Sequence, residues 1–318
     1  MTHKRLILPC NSDSIVWIIV LNYNNSYDTI ECAESVLKNG YQNFQLLLID
    51  NASTDNSLHE ICLWAESYGY LLINESDSKQ SSNKITIINN NQNYGFAGGN
   101  ATGVRYALNN SADYVLLLNN DTIVEPKFIE PLLNVYHYEE KAGIVGGIIR
   151  YADEPNRIWF SGGKIGWYRE AIHSTDLFSN PYRESPFISG CLMMIPTTLI
   201  QKFGFMDERF FLYVEDSDYC TTLRENGYQN FVARESIIYH KIGRSTGGDF
   251  APFSYYYGTR NRLLYHYKHK KKIGFFFFLT FFIGIKFIRT LLFSIQGRIA
   301  TRDAMFRGVR DFFRLIGS

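Results

Sequence analysis

The chain has 318 residues, 46% of them hydrophobic and 16% aromatic, with a formal net charge of +1. That length holds one large domain or two modest ones, and the apolar share is that of an ordinary globular protein. The five cysteines (Cys10, Cys32, Cys62, Cys191, Cys220) are odd in number and lack CxxC spacing, which argues against a disulfide framework or a zinc site and fits a reducing cytosol.

The N-terminal stretch MTHKRLILPCNSD has too short an apolar run for a signal peptide. Residues 15–21 (IVWIIVL) read as a strand that ends in the polar Asn22-Tyr23-Asn24-Asn25. A helix is predicted over 27–39, with Gly40 as its C-terminal stop. Residues 44–49 form a second strand that ends at Asp50-Asn51. Asp55 or Ser57 caps a helix to residue 68, and Ser57 with Glu60 makes a possible capping box. Residues 74–83 read as a polar, mobile loop. A strand over 85–88, a helix over 97–108 and a strand over 114–118 follow. Apolar runs alternating with helical segments indicate a parallel α/β sheet, whose ligands bind beyond the carboxyl ends of the strands.

Past Pro126 the pattern loosens. Strands are predicted over 143–149, 158–160, 187–195 and 231–239, and a helix over 216–226 closed by Gly227. There is no internal repeat. Charge divides sharply here. Residues 1–249 carry 19 Lys+Arg against 29 Asp+Glu, a balance of −10; residues 250–318 carry 13 against 2, a balance of +11. In the tail, KKKIGFFFFLTFFIGIKFIRTLLF sets basic residues beside long apolar stretches. Nucleic acid would favour a polar basic face, whereas lipid headgroups beside acyl chains suit this mixture. The apolar run 273–285, broken by Lys286 and Arg289, is shorter than the roughly twenty residues of a spanning helix. It predicts an in-plane or re-entrant helix anchored by residues 268–272. A helical pair that packs on the rest of the chain or dimerises is the alternative.

Five local patterns bear chemistry. Asn119-Asn120-Asp121 ends a buried strand, where a carboxylate can ligate a divalent ion that bridges phosphates; a plain turn is the other reading. Asn93-Tyr94-Gly95-Phe96-Ala97-Gly98-Gly99-Asn100 opens a helix, and its glycines let backbone amides approach a ligand or serve helix packing. His240 at a strand end can complete a metal site. Arg260 and Arg262 can clamp a diphosphate or begin the basic surface. In FFLYVEDSDY, Glu215, Asp216 and Asp218 crowd three carboxylates, either as an acidic helix N-terminus or as a reactive site.

Together and in order, IIVLNYNN, LLIDNASTDNS, NYGFAGGN, YVLLLNNDTIV, ISGCLMMI, GFMDERFFLYVEDSDYCTTLRENGY, YHKIGRST and YYGTRNR resemble the successive motifs of bacterial family 2 glycosyltransferases, of the rhamnosyltransferase-like branch. The resemblance spans residues 15–262. It implies a GT-A fold, with a mostly parallel central sheet flanked by helices, over 1–250: a nucleotide-binding half to about residue 125 and an acceptor half beyond. The basic, apolar helical region is 251–318. It also implies inverting transfer from a dTDP- or UDP-sugar with a divalent metal, Mg²⁺ or Mn²⁺. By position Asp50 meets the N3–H of uracil or thymine. Asn22, Tyr23, Asn24, Asn51, Asn93, Gly95, Gly99, Asn119 and Asn120 line the nucleotide pocket. Asp121 and His240 hold the metal, and Asn119 departs from the family's Asp, a neutral amide being the weaker ligand. Gly190, Arg260 and Arg262 lie toward sugar, acceptor and diphosphate. Asp216 matches the catalytic base, Glu215 tunes it or holds the acceptor, and Asp218 is an ordinary first-turn acid. The implied acceptor is a glycan or a polyprenyl-diphosphate-linked sugar on the cytoplasmic face of the inner membrane, with no nucleic acid partner and a possible homodimer through the tail. An inactive nucleotide-binding scaffold subunit is the alternative. A nucleotidyltransferase fits less well, because it would want a basic glycine-rich phosphate loop near the N-terminus.

Overall fold

The computed structural model describes residues 13–77, 83–168, 171–241 and 251–317. The predicted loop 74–83, the YHKIGRST motif and the tip of the N-terminal stretch fall partly outside these residues. The first half runs β1 (Val16–Asn22), α1 (Ser26–Leu37), β2 (Phe44–Asp50), α2 (Ser57–Ala65), β3 (Tyr70–Asn74), β4 (Ile85–Asn89), α3 (Gly95–Asn109) and β5 (Tyr114–Asn119). The second runs β6 (Thr122–Val124), α4 (Glu130–Tyr138), β7 (Ala142–Tyr151), β8 (Ile158–Phe160), β9 (Gly163–Ile165), β10 (Ala171–His173), β11 (Tyr182–Glu184), β12 (Leu192–Pro196), α5 (Thr197–Phe203), α6 (Glu215–Glu225) and β13 (Gln229–His240). Three helices close the chain: α7 (Pro252–His269), α8 (Lys272–Ile295) and α9 (Ile299–Gly317).

The sheet order is β11-β13-β7-β12-β5-β1-β2-β4-β3, with β6 on β13 and β8 on β7. From β3 to β5 every pairing is parallel; beyond β5, β12 runs antiparallel to both β5 and β7. The central strands are buried on both faces, so Ile18, Ile19, Leu46, Leu47, Leu116 and Leu117 all reach zero exposure. Each such side chain contributes about 1.5–3 kcal/mol. Parallel register leaves the polar strand ends level: Asn22 pairs with Asp50, Asp50 with Asn89, and Leu21 with Asn119.

Several expectations need correction. Edge strand β3 and helices α4 and α5 were not foreseen. The apolar run 187–195 is a strand only from Leu192; the preceding residues form a turn whose course is set by the site. The Ser57–Glu60 capping box does not form. Asn56 is the N-cap, and Glu60 instead accepts a hydrogen bond from Ser26 Oγ. Gly40 does not end α1 in a left-handed turn; its amide bonds the Pro126 carbonyl at 2.7 Å.

The tail differs most. Lys286 does not interrupt the apolar helix. It is 7% exposed, donates to Thr259 Oγ1 at 2.8 Å and lies over the Phe282 ring, so α8 runs unbroken for 24 residues. By length and composition α8 can cross a membrane, with mean hydropathy 1.9. Its inner face, Phe278 and Phe282, joins Phe312 of α9, Leu263 and Leu264 of α7, and Phe210 and Val214 in a second apolar cluster. An ionic latch adds to this contact. Asp218 takes Lys268 at 2.8 Å and His269 Nε2 at 2.9 Å, and His269 Nδ1 meets Glu225 at 2.9 Å. Asp218 is therefore more than a first-turn acid: it is a buried anchor for α7.

Burial opposes protonation of His269, but hydrogen bonds and charge from Asp218 and Glu225 outweigh it and raise the imidazole above 6.5. A raised histidine stabilises the fold fully below its unfolded value and loses that contribution as pH rises through the folded one. The stability difference between wild type and His269→Gln is therefore expected to be largest below about pH 6.5 and to shrink at higher pH. Denaturant melts across a pH series measure it.

Candidate active site

The rim beyond the strand ends is organised by one buried hydrogen-bond chain. Asn120 Nδ2 donates to Thr29 Oγ1 at 3.0 Å, and Thr29 donates to Asn22 Oδ1 at 2.8 Å. Asn22 Nδ2 in turn donates to Asp50 Oδ1 at 2.8 Å. The chain thus crosses from β5 through α1 and β1 to β2. Ser53 completes it, donating its amide to Asp50 Oδ2 and its hydroxyl to Oδ1. Asn22 is fully buried, so its part is to hold Asp50. Each carboxylate oxygen has two lone pairs, which leaves Asp50 acceptor capacity toward the rim. Tyr23 and Asn24 stand at the exposed edge, with Asn24 in a left-handed conformation pinned by Ser53 and Thr54. Thr29 and Ser53 were missed in the sequence. Both lie in the motifs singled out there or one helical turn on, yet a lone hydroxyl carries no pattern of its own.

Asn51 is buried and spent on structure. Its amide nitrogen donates to Asn93 Oδ1 at 3.0 Å and to the Gly95 carbonyl at 3.1 Å, and its oxygen accepts from Asn90 and Tyr94. Asn93 also takes the Gly95 amide at 2.8 Å. The turn before α3 is therefore latched to the end of β2.

At the other side of the rim Asp121 is 7% exposed, with Oδ1 at 3.1 Å from His240 Nε2 but without hydrogen-bond geometry. His240 Nδ1 is buried and, among the described residues, makes no hydrogen bond. Burial opposes charge on His240; the Cys191 sulfur and the Asp121 carboxylate beside it outweigh that and push the imidazole up. The turn 189–191 connects this pair to the acidic helix. Asn119 donates its amide to the Cys191 carbonyl at 3.1 Å, and Gly190 donates its own to Asp216 Oδ2 at 3.3 Å. A side chain at Gly190 would press on the Phe96 ring at 3.1 Å, which is why that amide can come so near. Asp216, the second residue of α6, is half-buried and also accepts from the Ser217 amide at 2.7 Å; Glu215 beside it is buried. Asp216, the Asp121–His240 pair and the end of β5 are thus linked through the turn 189–191.

The sequence matches the family model "Glycosyl transferase family 2" over residues 17–204, and a second, "Glycosyl transferase family group 2", over 114–302. The chain belongs to glycosyl transferase family 2. The transferase is 24% identical over 259 residues to the dTDP-rhamnosyl transferase RfbF of Shigella flexneri, covering 79% of this chain and 80% of that one. It is 22% identical over 196 residues to the glycosyltransferase GlyG of Streptococcus pneumoniae, covering 62% and 60%. The chain therefore spans less than two thirds of the pneumococcal protein's length. The mannosyltransferase PcManGT from Pyrobaculum calidifontis, solved in complex with GDP-Man and Mn²⁺, superposes with a TM-score of 0.58 at 14% identity, over 98% of this chain and 91% of that one. GalNAc-T7, solved with UDP, GalNAc and Mn²⁺, also gives 0.58, at 12% identity over 72% and 44%. The transferase has the GT-A fold of these neighbours.

Not every predicted residue faces the rim. At Gly95, φ is +71° and a Cβ would lie 2.2 Å from the Phe211 carbonyl; at Gly99 it would lie 2.7 Å from Leu21. The close approach at both glycines is to protein, and the amides of Phe96 and Ala97 at the mouth of α3 are bonded to the Phe211 carbonyl. Arg260 is likewise occupied: Nη2 donates to the carbonyls of Arg209 at 2.6 Å and Phe210 at 2.8 Å. Arg262 lies over the Tyr168 ring. In this arrangement Arg260 ties α7 to the backbone of residues 209–210.

Among the described residues no three His, Cys, Asp or Glu side chains form a cage for a metal. The buried, under-bonded Oδ1 of Asp121 suits an ion of the kind that takes few protein ligands and completes its shell with phosphate oxygens and water; His240 meets that oxygen through Nε2, and would have to give up its proton to act as a second ligand. The Gly95→Ala variant, strained in φ and overlapping Phe211, is expected to lose at least about 2 kcal/mol, measured by denaturant unfolding.

Proposed function

We propose that this transferase inverts the anomeric centre as it moves rhamnose or a similar sugar from a dTDP- or UDP-linked donor to a hydroxyl of a growing surface glycan or polyprenyl-diphosphate-linked acceptor. The observation that carries this reading is the turn 189–191, one residue of which touches Asp216 while the next stands beside His240. The names of relatives in Shigella and Streptococcus support the reaction class.

The residues divide the work. Asp50 accepts the N3–H of the pyrimidine, and the Asn22–Thr29–Asn120 chain keeps its carboxylate aimed at the rim. Asp121 and His240 would hold Mg²⁺ or Mn²⁺, which when bound neutralises charge on the leaving diphosphate. A single displacement requires a base on the face opposite the leaving group, and Asp216 takes the acceptor proton as the C–O bond forms. The Gly190 and Ser217 amides donate to its carboxylate and hold it in place. Asp216→Asn is expected to abolish transfer, at least about 10³-fold, while nucleotide affinity stays within twofold. Donor-hydrolysis and transfer assays across nucleotide-sugars, with and without Mn²⁺, measure both. Unchanged turnover in Asp216→Asn would remove Asp216 from the role, and absence of turnover by the wild type with every donor would favour a scaffold subunit.

The catalytic unit on this reading is residues 1–250, and residues 251–318 dock it on the cytoplasmic face of the inner membrane. The outward face of α8 exposes Ile273, Phe276, Phe277, Phe287, Ile288, Leu291 and Ile295, next to basic residues 268–272. Trp167, 52% exposed against Phe281 and Lys270, extends that face from the β9–β10 hairpin. Removing 273–318 is a poor test, because it would strip Phe278, Phe282 and Phe312 from the cluster that holds Phe210 and Val214. Substituting Phe276 and Phe277 together by Ser in the full chain is expected to lower co-flotation with anionic vesicles at least tenfold. Equal flotation refutes the lipid contact, and a halved solution mass would assign the face to a homodimer.

A further inference from the structure

Residues 210–214, which lead into the helix of the proposed base, form the most strained segment described. Phe211, Tyr213 and Val214 adopt φ of +61°, +71° and +75°, and none is glycine. Each such conformation costs about 1–3 kcal/mol and persists only where its surroundings impose it. The helix that follows does not impose it: Val214 is the N-cap of α6 and has no side-chain cap.

The restraint comes from α7. Asn261, fully buried, directs Nδ2 at three carbonyls of the loop, Phe210 at 2.6 Å, Leu212 at 2.7 Å and Tyr213 at 2.8 Å. Arg260 Nε donates to Asn261 Oδ1 at 2.8 Å, which fixes the orientation of the amide so that its N–H groups face the loop. Arg260 Nη2 takes the carbonyls of Arg209 and Phe210, and Tyr213 OH meets Ser254 Oγ at 3.2 Å. On the opposite side the Phe211 carbonyl is held by the amides of Phe96 and Ala97. Buried carbonyls turned inward by positive φ need donors, and one asparagine supplies most of them.

We propose that Asn261 is a positioning residue for the base: it holds the 210–214 loop in its strained path and so delivers Asp216 to the Gly190 amide. The inference rests on Asp216 being the base. It makes α7 part of the catalytic apparatus, beyond any role in docking. Without the clamp, the loop relaxes toward ordinary φ values and α6 begins in a different place. A misplacement of about 1 Å is enough to cost on the order of 10²-fold in rate.

The test uses the full chain with Asn261→Asp, which keeps the size and loses the donors, and Asn261→Ala, which loses them without adding charge. Turnover is expressed per nucleotide-binding site, counted by calorimetric titration with the nucleoside diphosphate, so that a misfolded fraction does not enter. The expected result is a fall in kcat of about 100-fold in both variants, with donor KM and nucleotide affinity within about twofold of wild type. A kcat per site within threefold of wild type overturns the proposal, as does a matched loss of KM and kcat. Asp216→Asn, assayed in parallel, separates the two readings. If it is inactive while Asn261→Asp is fully active, only the positioning role fails. If it retains full turnover, the base reading fails and takes this inference with it.

Discussion

The active surface depends on the carbonyl of Phe211. It lies between two parts of the chain far apart in sequence, accepting from the mouth of α3 while its neighbours accept from Asn261 of α7. Gly95 is required because any side chain there would collide with that carbonyl. The loop can keep three left-handed non-glycine residues because helices on both sides satisfy its backbone groups. Asp216 inherits its place from this arrangement, as do the helix that carries it and the latch from Asp218 to Lys268 and His269.

The rest of the site follows from parallel strand register. Strands ending level put Asn22, Asp50 and Asn119 in one rim, where burial forces each polar group to find a partner. The outcome is one chain of hydrogen bonds in which Asn22 and Thr29 orient Asp50, which keeps acceptor capacity toward the rim, and a separate cluster in which Asn51 holds the turn before α3. Helix α3 can lie close over β1 and β2 because Gly99 and Gly103 leave room for Leu21, Ile19 and Ile49. The glycine-rich segment thus shapes the site by helix packing, and its amides are committed to protein.

Much of this was legible where the signal is local. Strands β1, β2, β4 and β5 announce themselves as apolar runs bounded by Asn and Asp, α3 by helical spacing, and α6 by helical spacing and the stop at Gly227. The family motifs singled out Asp50, Asp121, His240 and Asp216, the residues on which the proposed reaction rests. What escaped was set by neighbours. Strand β3 is short and lies at the sheet edge, and residues 187–191 are as apolar as a strand but serve as the turn to Asp216. Arg260 looked like a phosphate ligand because its type allows it, yet its donors are spent on carbonyls about fifty positions away in sequence.

The tail shows the same division. Composition alone determined that residues 250–318 are basic and apolar, because charge and hydrophobicity are sums over residues. Whether Lys286 ends a helix or is absorbed within it depends on whether a partner such as Thr259 stands within 2.8 Å, and only the packing of α7 against α8 decides that. Likewise the sequence by itself determined the α/β class, the order of motifs and the identity of the acidic helix. Tertiary structure decided which carboxylate meets the Gly190 amide and which became an anchor. Asp216 and Asp218 are two residues apart on one helix and point about 200° apart around its axis, so one meets Gly190 and the other meets α7.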